Sequence, residues 1–126
     1  MSVPRSIAVT YDEAIRIKER APNAFAVLIR RGLDGLCEDN GAKGRNLQSK
    51  LKKLADNGVI PPLLAEATDL LRLLGNIGAH SATESVHPLL ANAMDEFFRA
   101  VVEYVYIAPA RLKDFRRKME TYRKKA

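Results

Sequence analysis

Apolar residues along this chain recur at intervals of three and four, the spacing that gathers them on one side of an α-helix. The longest such run passes through Leu63, Ala67, Leu70, Leu74 and Ile77 and ends in polar groups at Asn76 and His80. Pro61 and Pro62 stand at its head, where the first turn of a helix tolerates proline. A long central helix from about Pro62 to His80 is therefore expected. Gly75 and Gly78 fall inside it. Each costs about 1 kcal/mol relative to alanine in a helix, which points to a second backbone close by.

The same reading places the other elements. Ser2 to Val9 carries Pro4 and no helical period, so it reads as an extended lead-in. Thr10-Tyr-Asp-Glu13 fits a capping box opening a first helix from about Tyr11 to Arg20. Ala21-Pro22-Asn23 ends it, since proline lacks an amide hydrogen and disfavours helix in the residue before it. A second helix from about Asn23 to Asp39 carries Phe25, Leu28, Ile29, Leu33, Leu36 and Cys37 on its apolar face, flanked by Arg30, Arg31 and Asp34. After a glycine-containing loop, Asn46 caps a third helix with Leu47, Leu51 and Leu54 inward and Lys50, Lys52 and Lys53 outward. Asn57-Gly58 closes it.

Beyond a polar stretch from Ser81 to His87, Pro88 opens a helix to about Ile107 with Leu90, Met94, Phe97, Val101 and Tyr104 on its core face. Pro109 ends that helix, and a last one starts near Ala110 with Leu112, Phe115, Met119 and Tyr122 on one side. No stretch alternates with the period of a strand. The expected fold is one compact all-α bundle of about five to six helices, with a core spanning residues 10–109 and a basic amphipathic helix at 110–126.

Charge sharpens this picture. The net charge is +6. Residues 1–110 hold 13 basic and 13 acidic side chains, and residues 111–126 hold 8 and 2. The basic character thus belongs to one element: Arg111, Lys113, Arg116, Arg117, Lys118, Arg123, Lys124 and Lys125. These cations suit a nucleic-acid backbone, with Arg30 and Arg31 as weaker candidates elsewhere. A solvated helix end and an anionic membrane surface are alternatives, and the apolar stripe fits docking on the bundle or on a partner subunit.

Other chemistry is sparse. The single cysteine, Cys37, excludes an internal disulfide and a cysteine-based zinc cluster, and its apolar setting reads as an inert thiol. His80 and His87 lie seven apart without an obvious third ligand, so no metal and no cofactor is expected. Ser81 lacks the glycine-flanked elbow of a serine hydrolase. Gly41-Ala-Lys-Gly44 lacks the spacing of a phosphate loop, although Lys43 and Arg45 suit an occasional phosphate contact. No apolar run reaches the roughly 20 residues of a membrane span, and the first residues lack a signal peptide's apolar region, so a cytoplasmic location is expected.

Read together, five stretches carry a family likeness. They are Ala26 to Cys37, Gly41 to Leu47, Leu54 to Pro62, Leu71-Arg-Leu-Leu-Gly-Asn-Ile-Gly-Ala-His80 and Tyr106-Ile-Ala-Pro109. In this order and spacing the chain resembles the prokaryotic family of domain of unknown function 4145, over roughly Pro4 to Pro109. That family is grouped with the higher-eukaryote and prokaryote nucleotide-binding (HEPN) superfamily. The resemblance implies an all-α HEPN-like fold, a homodimer and a setting in prokaryotic nucleic-acid processing or defence complexes.

Ribonucleases of that superfamily use an arginine, a polar residue, three variable residues and a histidine. Aligning Asn76 and His80 with the last two puts Gly75 in the arginine's place. The expected role is therefore non-catalytic binding or assembly. The alternatives are a metal-independent ribonuclease using His80 as acid or base with Arg72 on the phosphate, and a purely structural dimeric domain. If Asn76 and His80 only cap the helix end, Arg72 is expected to pair with Asp69 or Glu66.

Overall fold

The computed structural model describes residues 3–76 and 85–125. They form α1 (Arg5–Ile17), α2 (Pro22–Asp39), α3 (Leu47–Asp56), α4 (Pro62–Ala65), α5 (Thr68–Asn76), α6 (Pro88–Val102), a π-helical turn (Glu103–Ile107) and α7 (Ala108–Lys125). The fold is all-α, with no strand among the described residues.

At the centre stands α2. Phe25, Ala26, Ile29, Leu33, Leu36 and Cys37 are fully buried on it, the face expected from their spacing. Around it pack α1, α3, α5 and α6. At Gly32, α2 and α6 approach closely: a Cβ built there would lie 2.8 Å from Cε2 of Phe98. That ring in turn stacks on Tyr11 of α1, with centroids 5.1 Å apart and planes nearly parallel. Three helices thus meet through one glycine and two rings.

Several boundaries differ from the sequence expectation. Helix α1 begins at Arg5, and its first free amides, those of Ile7 and Ala8, donate to the Pro4 carbonyl at 3.1 Å. Thr10 lies inside the helix, its hydroxyl donating to the Ser6 carbonyl at 2.8 Å, so it caps nothing. The reason is packing: Ile7, Tyr11 and Ala14 share one face through the four-three spacing, and burying Ile7 outweighs the local capping signal. By contrast, the Asn46 cap forms as expected, accepting from the Ser49 amide at 2.8 Å.

The central helix is broken into α4 and α5 at Glu66 and Ala67. The break leaves Leu63 exposed and turns Leu71 and Leu74 into the core, with Leu64, Ala67 and Leu70 partly buried. Helix α5 restarts with Asp69 in its first turn, where the helix dipole favours an acid. Ile77, Gly78 and His80 lie outside the described residues.

Pro109 does not end its helix. Backbone dihedrals stay helical from Val102 through Ala108, so α6, the π turn and α7 form one rod from Pro88 to Lys125. Within an α-helix the Pro109 ring would press on the carbonyl four residues back and leave it without a donor. Here the Ala108 amide donates to the Glu103 carbonyl, five residues back, and the wider turn makes room. The extra residue also changes which side chains face inward. Tyr104, expected in the core, is half exposed, whereas Val105 and Tyr106 are buried.

Two polar clusters fasten the bundle. Asp95, only 6 % exposed, accepts from the Tyr11 hydroxyl at 2.5 Å and faces Lys18 and Arg99 at 3.4 Å each. Tyr106 donates to Asp39 at 2.6 Å and accepts from Asn40 at 3.2 Å, tying the π turn to the end of α2. Burial, then the hydrogen bond to Asp95, pushes the Tyr11 hydroxyl up to about 12. Burial, then the hydrogen bond to Asp39, raises that of Tyr106 as well.

Candidate nucleic-acid interface

The π turn launches α7 away from the bundle. At 1.5 Å per residue its 18 residues span ~27 Å. None of its residues is buried, and its extensive contact among the described residues is with the π turn it grows from. Of the two expectations for the apolar stripe, docking on the bundle or on a partner subunit, the first is not met: Leu112, Phe115, Met119 and Tyr122 are 50, 59, 37 and 66 % exposed. The physical reason lies in the rod. The extra residue of the π turn rotates everything beyond it by roughly 100°, turning the stripe off the direction of the α6 core face.

Around this stripe the cations fall into two groups. Arg111 reaches back to Glu103 at 3.2 Å, fixing the root of α7 to the π turn. Arg117 and Lys118 both pair with Asp114, Lys118 at 3.0 Å. Lys118 first, and Arg117 after it, hold the Asp114 carboxyl below the usual carboxylate range. Lys113, Arg116, Arg123, Lys124 and Lys125 make no ion pair among the described residues. On a helix advancing 100° per residue, Lys113, Arg117 and Lys124 share the side opposite the apolar stripe. That side offers a line of cations at one- to two-turn spacing, the geometry a polyphosphate backbone takes.

The other sequence candidates are not gathered with these. Arg30 sits 3.8 Å from Asp34, which also takes Lys50 at 3.2 Å, so this part of α2 works as a tie between α2 and α3. Arg31 is exposed on the same helix, which has no extensive contact with α7 among the described residues. Lys43 and Arg45 are exposed in their loop.

On α5, Arg72 is exposed and lies 3.5 Å from Asp69, the pairing expected of a structural role. Asn76 is exposed at the end of that helix, and His80 lies outside the described residues. His87 caps α6: its Nδ1 accepts from the Leu89 amide at 3.1 Å. No cluster of metal-ligating side chains occurs among the described residues. Cys37 is fully buried, and that burial, with Asp34 adding to the effect, pushes the thiol up to about 12. No described helix is long and apolar enough to cross a membrane.

One feature escaped the sequence reading. A cleft of about 350 Å³ lies between α1 and the rod, lined by apolar side chains such as Ile7, Tyr11 and Val102, with Arg99 and Glu103 at its polar side. It exists because α1 starts at Arg5 and not after Val9, and the proline-bearing lead-in hid that start.

No curated protein and no solved structure matches the chain. A family model does, over residues 12–121, a span that opens within α1 and closes within α7 at Thr121. The chain belongs to the family described as Domain of unknown function (DUF4145).

Proposed function

We propose that this protein is a non-catalytic binding or assembly domain whose working surface is α7. The single observation that carries the reading is that α7 stands clear of the bundle while five of its cations make no ion pair among the described residues. Elsewhere, buried Asp95 and half-buried Asp34 are tied to lysines of neighbouring helices, contacts that hold the bundle together. The outward side of α7, with Lys113, Arg117 and Lys124, contacts nucleic-acid phosphate. The family resemblance supports an HEPN-like relationship, a homodimer, and a place in prokaryotic nucleic-acid processing or defence complexes.

Incubation with a mixed RNA pool in EDTA, with binding followed across a salt series, tests the reading. The expected result is intact RNA, bound with an affinity that falls steeply between about 50 and 200 mM salt. Lys113→Glu with Lys124→Glu is expected to abolish that binding. Cleavage that disappears in His80→Ala overturns the reading in favour of a metal-independent ribonuclease using His80 and Arg72. Neither binding nor cleavage leaves a purely structural domain.

A further inference from the structure

The side of α7 opposite Lys113 and Lys124 has its own pattern. Met94, Phe98, Val101 and Val105 are buried on the rod at intervals of four and three. In sequence the series continues without a break through Ala108, Leu112, Phe115, Met119 and Tyr122. The period of a coiled-coil seam thus runs from the core into α7, and the π turn delivers its second half to solvent. Four large apolar side chains in line on a projecting helix form a partner-sized stripe, unlike scattered surface hydrophobes.

What flanks the stripe defines the partner. The positions bordering it on one edge are Arg111, Lys118 and Lys125, and on the other Arg116 and Arg123. Every flanking position is a cation, and the two acids of α7, Asp114 and Glu120, sit away from the seam. In a helical pair these flanks face the partner's flanks and set its identity. A second copy of α7 brings cation against cation in either orientation. Parallel pairing puts Arg111 beside the second copy's position 116, and antiparallel pairing sets like edge on like edge. Self-pairing is thereby opposed, and carboxylates on the partner are required.

We propose that the α7 seam docks an acidic amphipathic helix of another protein, its apolar residues on Leu112, Phe115, Met119 and Tyr122 and its carboxylates against Arg116, Arg123 and Lys125. Those three cations make no ion pair among the described residues, so docking breaks no such pair at their positions. The inference rests on α7 being the working surface but not on nucleic-acid contact, which uses the opposite side of the helix.

The test is fluorescence anisotropy with the full chain and a labelled synthetic peptide of four heptads, carrying Leu along the seam and Glu at every flanking position. Saturable binding is expected. It is expected to weaken at least about tenfold with Lys at the flanks, with the apolar positions scrambled, or in Leu112→Ser with Met119→Ser. Arg116→Glu with Arg123→Glu is expected to reverse the preference toward the Lys peptide. Equal binding of the scrambled peptide overturns the proposal, since charge alone then suffices. So does a stable dimer of the chain cross-linked through Met119→Cys. Peptide binding that fails while RNA binding persists removes the seam and keeps the nucleic-acid reading. The reverse pattern, insensitive to Lys113→Glu and Lys124→Glu, keeps the seam alone.

Discussion

The Tyr11 hydroxyl donates to the Asp95 carboxylate at 2.5 Å, across 84 positions of sequence, and so joins the first helix to the rod that ends in α7. A hydrogen bond to a charged acceptor in a part-buried setting contributes about 1.5–3 kcal/mol. Tyr11→Phe and Asp95→Ala are therefore expected to be non-additive. A double-mutant cycle by urea unfolding should give a coupling of about 1.5–3 kcal/mol. A coupling near zero would show that Lys18 and Arg99 hold Asp95 unaided.

Alkaline pH acts on the same contact. The folded state raises the Tyr11 hydroxyl from 10.0 to about 12 and the Cys37 thiol from 9.0 to about 12. Both groups keep their protons more tightly when folded, so their contribution is fully present below the unfolded values and is lost as pH rises. Stability should begin to fall near pH 9, as unfolded Cys37 ionises. The fall should steepen above 10, where unfolded Tyr11 and Tyr106 follow, both hydroxyls being raised in the folded state. Urea midpoints measured across this range check it, and in Tyr11→Phe the part beginning at 10 should shrink. Over the same range a thiol reagent should label Cys37 only as fast as the protein unfolds.

Gly32 marks the close approach of α2 to α6. In an exposed helix interior, glycine to alanine is stabilising by up to about 1 kcal/mol. Here the new methyl would meet the Phe98 ring at 2.8 Å, and that ring is buried and stacked on Tyr11. Overpacking wins, and Gly32→Ala is expected to cost about 1–3 kcal/mol by thermal or urea unfolding. An increase in stability would mean that the ring pair shifts as a unit.

Much of this arrangement is legible in the spacing of apolar residues, because a regular α-helix converts spacing directly into a face. The α2 stripe from Phe25 to Cys37 and the Asn46 cap follow from it. Where the backbone departs from the α period, the conversion fails. Tyr104 is exposed inside the π turn, with Val105 and Tyr106 buried in its place, and nothing in the local composition announces that turn. Thr10 and Glu13 carry a strong local signal that loses to the burial of Ile7, a contact made with residues far along the chain.

The candidate interface divides in the same way. The cations of α7 are visible as a run of charge at one end of the sequence. Their placement clear of the bundle depends on the phase set by the π turn, which lies in the backbone and not in the charges. The Arg72, Asn76 and His80 grouping was legible only as a motif. The structure places Arg72 against Asp69 and Asn76 in solvent, and His80 falls outside the described residues.

If α7 is a binding surface and not a structural strut, its apolar stripe should matter little to the fold. Leu112, Phe115 and Tyr122 are at least half exposed, so they have lost little of their hydration on folding. Leu112→Ser together with Phe115→Ser should therefore change unfolding free energy by no more than about 0.5 kcal/mol. Leu33→Ala, on the fully buried face of α2, should cost about 2–5 kcal/mol in the same assay. The contrast separates two origins for similar side chains. A large loss of stability in the α7 variant would mean that the stripe is already covered in solution by another copy of the chain. The difference in stability between the variant and the wild type would then depend on protein concentration, a dependence that a free seam does not produce.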